Sequence, residues 1–302
     1  MINLDKLTYA GNLNNIKDLR REKRHKFVRG DIRNQKLVNA LVKKVDAVVN
    51  FAAESHVDRS IRTPQVFTET NVLGTHVLLE ACRRSGVRFE QISTDEVYGS
   101  RVEGSFRETD PLKPSNPYSA SKAAADLLVN SFCVTYGLDA CVTRSTNNYG
   151  PNQHPEKLIP RLVTNGLRGR PLPIYGTGMN VRDWIYVEDN CRAIRLVLER
   201  GKKKQVYNIG GGNERKNVEI AKEILRHLSL PETMMEFVED RPGHDLRYSL
   251  ECSKIHRLGW KACLPFEQGL QKTIRWYTTN RWWWAPLVEQ TRRRRKRKSI
   301  SS

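Results

Sequence analysis

Residues 46–56 read DAVVNFAAESH, an apolar, β-branched run that ends abruptly in small and polar residues. Asp46–Phe51 has the make-up of a buried strand, and Ala52-Ala53-Glu54-Ser55-His56 that of the loop beyond it. The same grammar recurs outward in both directions. Ile2–Leu4 runs into Asp5, Lys26–Val28 into Gly30-Asp31, Phe89–Ser93 into Thr94-Asp95-Glu96, and Ala140–Arg144 towards Asn147-Asn148. Helical spacing fills the intervals at 36–43, at 66–85 (Val72, Leu73, Val77, Leu78, Leu79) and at 119–136. Strands separated by helices predict an α/β fold, a doubly wound parallel sheet with helices on both faces. Ligands of such sheets lie beyond the C-terminal strand ends, where every one of these polar clusters falls.

After Tyr149-Gly150-Pro151 the pattern breaks into short segments divided by Pro and Gly. The expected division is a cofactor-type domain over 1–150, with later returns near 181–212 through the β-like runs 185–187 and 206–209. A smaller substrate lobe follows over 151–285, and a basic, disordered tail over 286–302. No stretch is polar and long enough to separate independent domains.

The chain has 302 residues, 38% hydrophobic and 28% charged, which excludes a disordered protein and supports a core of its own. No apolar run approaches the roughly 20 residues of a membrane helix, and MINLDKLTYAG lacks a signal-peptide pattern, so a cytoplasmic protein without a membrane partner is expected. The six Cys show no metal spacing and read as reduced core thiols. The 52 Lys and Arg against 33 Asp and Glu give +19; without the seven basic residues of 292–298 the body is still +12. A basic body suits nucleic acid or an anionic small substrate. The run at 292–298 has no aromatic residues among its charges and reads as a solvated end, with weak RNA or anionic-membrane binding as the alternative.

Tyr118 and Lys122 form Tyr-x-x-x-Lys at a helix start, which places both side chains on one face. An ammonium beside a phenol favours phenolate and lowers its pKa, giving a general base for a hydroxyl proton. The spacing also fits an ordinary amphipathic helix start. Thr94-Asp95-Glu96 puts adjacent carboxyl groups at a strand end, where one can stay protonated and the other ionised; a turn or helix cap would use the same residues. Asp5 and Asp31 end strands and suit ribose and adenine, or simple caps. Lys157, Arg182, Arg241 and His244 supply cations for a diphosphate, or solvated surface charge. Trp282-Trp283-Trp284 reads as packing of a C-terminal segment.

Taken in order, LDKLTYAGN, GDI, AAESHVDRSI, ISTDEVYG, NPYSASKAAAD, TNNYGP, PEKLIP, LPIYGTG, RDWIYVED, YNIGGGNE and DRPGHDLRY resemble the extended short-chain dehydrogenase/reductase superfamily, specifically the dTDP-glucose 4,6-dehydratases. The resemblance runs from Ile2 to about Trp284. It implies a Rossmann-like fold, NAD as cofactor, a dTDP-hexose substrate, and a homodimer built from two helices of each subunit. It implies transient C4 oxidation by bound NAD, loss of water across C5–C6 and hydride return to C6, yielding the 4-keto-6-deoxy sugar nucleotide. Thr94 would bond the 4-hydroxyl, and Tyr118 with Lys122 would take its proton. Glu96 would remove and return the C5 proton, and Asp95 would protonate the departing C6 hydroxyl. Asp5, Lys6, Leu7 and Thr8, with Asp31 and Ile32, would hold the adenosine half of NAD. Ala52, Ala53, Ser55 and Thr70, with Tyr118, Lys122 and Asn148, would line the nicotinamide half. Substrate contacts would come from Ser55, Thr94 and Asn147, from Glu156, Lys157 and Leu158, and from Pro173, Ile174 and Tyr175. Arg182, Asn217, Arg241 and His244 complete that set.

Members of the superfamily begin with a strand, a Gly-x-x-Gly-x-x-Gly turn and a helix. The resemblance implies that Met1 falls after these, with a truncated product or a misplaced start as the expectation, and the late Gly210-Gly211-Gly212 opens no equivalent unit. The expectation is weak NAD binding and reduced stability, since that turn's N–H groups hold the pyrophosphate. Two alternatives stand beside the dehydratase reading. One is a 4-epimerase of the same fold, which needs no Asp95-Glu96 pair. The other is an inactive remnant whose basic end binds nucleic acid.

Overall fold

The computed structural model describes residues 1–299, with side chains described through Gln290. β1 (Ile2–Asp5) leads through a 3₁₀ segment, Leu13–Arg21, to β2 (Lys26–Arg29), α1 (Gln35–Val42) and β3 (Ala47–Asn50). Two short helices follow, α2 (Val57–Arg62) and α3 (Pro64–Phe67), then a π-turn over Thr68–Leu73 that feeds α4 (Gly74–Ser85). β4 (Arg88–Thr94), α5 (Pro117–Thr135), β5 (Ala140–Ser145) and β6 (Asn147–Tyr149) complete the first half. The second half contains α6 (Leu158–Gly166), β7 (Leu172–Tyr175), β8 (Val181–Tyr186), α7 (Val187–Arg200) and β9 (Val206–Ile209). It continues with β10 (Glu214–Lys216), α8 (Asn217–His227), β11 (Met235–Val238), α9 (Ser253–Arg257), α10 (Phe266–Thr279) and α11 (Arg281–Ser299).

The architecture is α/β with parallel sheets. β3, β4, β5 and β9 pair in parallel in the order β3-β4-β5-β9, and β1 and β2 form a separate parallel pair. One face of the four-stranded sheet packs on α1, α4 and α5 through Val38, Leu79, Phe89, Val129 and Phe132. The other face is covered by α7 and α9 through Ala193, Ile194, Val197 and Ile255. A separate core joins α6, α8, α10 and α11 around Leu162, Leu172, Trp184, Ile224 and Leu270.

Local chemistry explains the boundaries. α5 starts in a capping box: Ser119 N–H donates to the Asn116 side chain at 3.0 Å and Asn116 N–H to Ser119 Oγ at 3.3 Å, with Pro117 in the first turn. α4 ends on Gly86, whose φ of 66° only glycine adopts without strain. Gly211 must lack a side chain, because a Cβ there would lie 2.0 Å from the Trp184 carbonyl oxygen.

Several expectations need correction. The run at 66–85 is not one α-helix; Thr68–Leu73 is a π-turn between α3 and α4. Only 206–209 returns to the main sheet. The run at 185–187 divides between β8 and the start of α7, and β8 lies in a second sheet, β10-β8-β6. The tail does not begin at 286: α11 continues through Pro286, and Leu287 is buried in that separate core with Trp283 and Trp284. The backbone of 291–299 is helical rather than disordered. The side chains of the basic run at 292–298, and residues 300–302 entirely, lie outside the described residues. Cys82, Cys133 and Cys141 are buried thiols, but Cys191 and Cys263 are exposed, because each lies on the solvent side of its segment.

The 3₁₀ segment after β1 meets the start of α11. Trp283 donates its indole N–H to Asn15 Oδ1 at 2.9 Å, and Lys17 Nζ sits 4.6 Å from the Trp282 ring centroid.

Candidate active site

The C-terminal end of β4 and the first turns of α5 converge. Thr94 donates its hydroxyl to Asp95 Oδ1 at 3.1 Å and accepts the Glu96 N–H at 3.3 Å, so one threonine fixes the whole triplet. Asp95 Oδ2 and Glu96 Oε2 are buried without a hydrogen-bond partner among the described residues. Burial drives the Asp95 carboxyl well above its ordinary pKa, reinforced by the Glu96 charge. Burial also raises Glu96, but Arg241, Arg182 and Lys157 oppose it. Both carboxyl groups are held above their ordinary values, and only Glu96 has three cations among the groups that oppose the rise.

Tyr118, in the first turn of α5, lies buried beside them. Its buried phenol lies close enough to Glu96 and Asp95 to feel both charges. The expected depression of the Tyr118 pKa is not found: burial and these carboxylates push it up. Lys122 is turned to the sheet, donating Nζ to the Ile92 carbonyl at 2.5 Å. Burial lowers that ammonium to about 8, with Asp126 opposing. Its charge is not spent on the phenol in this state, which accounts for the reversal.

The adenosine-side residues gather at the ends of β1 and β2. Asp5 is exposed and accepts the Leu7 N–H at 2.6 Å, turning the chain through Leu7 at φ 54°. Thr8 is exposed beside it. Asp31 is committed to Lys6 at 2.8 Å and Arg33 at 2.9 Å; these partners outweigh its burial and hold its pKa low. Ile32 is buried in the sheet–helix core. Ala52 and Ala53 follow β3, Thr70 lies in the π-turn, and Asn148 Oδ1 is buried without a partner among the described residues. An exposed acid at the end of β1 and, on β6, an Asn148 whose Oδ1 alone lacks a partner fit the two ends of a dinucleotide.

The substrate-side residues cluster above this. Lys157 Nζ donates to the Ser55 carbonyl at 2.8 Å. Arg182 is buried, stacked 4.3 Å over the Tyr248 ring, with Nη2 donating to the Asp245 carbonyl at 2.9 Å. The Asn217 Oδ1 and Arg241 Nε atoms are buried and unpartnered among the described residues. His244 packs edge-on against Tyr175 and bonds Asp240 at 2.6 Å. Asn147 and Pro173 are half-buried on β6 and β7, and Leu158 packs partly on the core around Leu162. Ile174 instead points into that core, 1% exposed, and offers only backbone to a ligand.

Sequence reading missed several residues that hold this site. Asn71 donates to the Glu54 carbonyl at 3.0 Å and accepts the Glu54 N–H at 2.9 Å, locking the loop after β3; its Nδ2 also reaches Ser121 at 2.8 Å. Asp126 accepts from Ser93 at 3.0 Å and Arg144 at 2.9 Å beneath the Thr94-Asp95-Glu96 turn. The i, i+4 spacing of Tyr118, Lys122 and Asp126 was the available signal for the last.

Residues 1–273 match the family described as GDP-mannose 4,6 dehydratase. A dTDP-glucose 4,6-dehydratase of Streptomyces niveus is 52% identical over 280 residues, 92% of this chain and 83% of that one. The low-salt glycan biosynthesis protein Agl12 of Haloferax volcanii is 51% identical over 278 residues, 92% of this chain and 90% of its own. A crystal structure of DesIV, a dTDP-glucose 4,6-dehydratase of Streptomyces venezuelae with NAD and TYD bound, superposes with a TM-score of 0.94. It is 52% identical, and the match covers 95% of this chain and 89% of that one.

Proposed function

The chain belongs to the GDP-mannose 4,6 dehydratase family, and we propose that it is an NAD-dependent enzyme that converts dTDP-glucose to the 4-keto-6-deoxy sugar nucleotide. The observation that carries this reading is the joining of Thr94, Asp95, Glu96 and Tyr118 at one buried point. An epimerase working at C4 has no use for an acid and a base poised on neighbouring atoms; a dehydratase needs both.

NAD, when bound, accepts and returns the hydride. Asp5, Lys6, Leu7 and Thr8, with Asp31 and Ile32, would hold its adenosine half. Ala52, Ala53, Ser55, Thr70 and Asn148 would line the other half beside Tyr118 and Lys122. The chain's own residues manage the protons. Thr94 orients the sugar's 4-hydroxyl, and Tyr118 removes its proton; bound NAD would supply the positive charge that offsets the phenol's raised pKa, since Lys122 is turned to the Ile92 carbonyl. Glu96, whose burial is opposed by Arg241, Arg182 and Lys157, takes the C5 proton. Asp95, kept protonated by burial, delivers its proton to the departing C6 hydroxyl. Lys157, Arg182 and Arg241 neutralise the diphosphate, which would otherwise repel the carboxylates.

The reading extends to a homodimer and to the cytoplasm. Leu127 and Val134 on α5 and Leu73 before α4 are more than half exposed, an apolar face that a second copy would cover. No described helix is long and apolar enough to cross a membrane, and all six thiols are unpaired, as a reducing compartment leaves them.

The test is incubation of the chain with dTDP-glucose and NAD. A product lighter by one water and bearing a C6 methyl group is expected. A C4 epimer alone would overturn the reading.

A further inference from the structure

Helix α2 lies between the cofactor side and the substrate side and carries Asp58 and Arg59 in succession. They reach in different directions. Arg59 bonds Glu156 at 3.3 Å and stacks 3.4 Å over the Tyr9 ring. Asp58 faces the nucleotide end: its Oδ2 accepts the Tyr175 hydroxyl at 2.9 Å, and its Oδ1 lies 3.4 Å from Arg241 Nη1. Among the described residues, Asp58 is the one acceptor that the Arg241 side chain meets.

Arg241 sits in a turn without regular secondary structure, between β11 and the bridge at Arg247, so its backbone alone does not aim it. The guanidinium is held from one side by Asp58 while Nε stays buried and unpartnered. Burial alone would raise Asp58, but His56, Tyr175 and Arg241 keep it ionised.

We propose that Asp58 is the positioning residue for the nucleotide end of the substrate site, fixing the Arg241 guanidinium and the Tyr175 hydroxyl before the diphosphate arrives. This rests on the sugar-nucleotide reading above. A free arginine side chain gives up much rotamer freedom when it grips a ligand; one already clamped has met that cost in folding. The clamp also leaves Nε as a donor in the fixed plane that a phosphate oxygen needs. Two effects of Asp58 on an anionic ligand oppose one another. Its negative charge repels the diphosphate, whereas its hold on Arg241 favours it. The second dominates, because Asp58 engages Nη1 and leaves the buried Nε without a partner among the described residues.

The opposed signs make the test sharp. dTDP binding is measured by calorimetry on the full chain, without turnover. Asp58→Asn keeps the shape and removes the charge, and is expected to weaken dTDP binding about tenfold, about 1.4 kcal/mol. The KM for dTDP-glucose is expected to rise by the same factor with kcat within about twofold, and Arg241→Ala with Asp58→Asn should be no weaker than Arg241→Ala alone. Unchanged or tighter binding, or losses that multiply in the double variant, overturns the proposal. Should Asp58→Asn fail to fold, Asp58→Glu serves: a longer carboxylate displaces the guanidinium, so binding about threefold weaker is expected and unaltered binding overturns the proposal. A wild-type chain that binds dTDP yet makes no 4-keto-6-deoxy product overturns the dehydratase reading while the Asp58 measurement stands. A wild-type chain that binds no dTDP overturns both.

Discussion

The Tyr9 hydroxyl donates to Glu156 Oε1 at 2.6 Å, joining the turn after β1 to the loop before α6 across 147 positions of sequence. Burial and the neighbouring carboxylate drive the phenol's pKa up, so Tyr9 stays a donor at any pH the protein meets. Glu156 is 8% exposed at its side chain and takes its second bond from Arg59.

Removing that donor strands a buried carboxylate oxygen. Tyr9→Phe is expected to cost about 1–3 kcal/mol of unfolding free energy by urea titration. Tyr9→Phe combined with Glu156→Gln should cost less than the two single losses together.

Tyr118→Phe keeps the ring and loses the base. Formation of the 4-keto-6-deoxy product is expected to fall by about 10²–10⁴ with dTDP binding unchanged. Lys122, lowered to about 8 by burial, loses its proton as pH rises through that value. Product formation should therefore decline above pH 8, and Lys122→Met should flatten that limb while lowering the plateau.

The Asp95 and Glu96 roles separate in heavy water. The wild-type product is expected to carry deuterium at C5, placed there by Glu96. Glu96→Gln should abolish both exchange and product. Asp95→Asn should retain C5 exchange while water loss slows by about 10²-fold or more.

Glu90 is fully buried on β4, neither carboxylate oxygen has a partner among the described residues, and burial pushes its pKa up to about 8. Between its ordinary value of 4.5 and 8, the native state binds a proton that the unfolded state has lost, so this group's contribution to stability falls as pH rises through that window. His56, lowered to about 4, acts oppositely, and only below 6.5. Glu90→Gln is thus expected to melt higher than the wild type at pH 8 and to lose less stability between pH 6.5 and 8. Identical slopes in that interval would refute the assignment.

The elements of the first half were legible because each strand is a short apolar run closed by a polar cluster. Val48 and Val49 against Ser55-His56, and Ile92 against Asp95-Glu96, mark both the strand and the end where chemistry gathers. The π-turn was not, since Thr68–Leu73 keeps helix-compatible residues and differs only in which carbonyl each N–H meets. Nor was the second sheet: Val181–Tyr186 has the same β character as Val206–Ile209, and its partners Asn147–Tyr149 and Glu214–Lys216 are too short and polar to announce themselves. At the site, Thr94, Asp95, Glu96 and Tyr118 stood out as a motif. The state of Tyr118 did not, because it depends on where the Lys122 ammonium points. Asp58, Arg59 and Tyr9 were passed over because a charged or phenolic residue on a short helix or turn carries no periodic signal; only the folded chain brings their partners near.

The bond from Trp283 to Asn15 makes the molecule a loop fastened at its clasp. The 3₁₀ segment it grips comes directly after the residues that would cradle adenosine, so the far end of the polypeptide steadies the near end. Trp283→Phe, which deletes that N–H and leaves a smaller ring in the core, should loosen Leu13–Arg21 to hydrogen exchange before any other segment of the sheet-bearing half, as a necklace opens where it is joined.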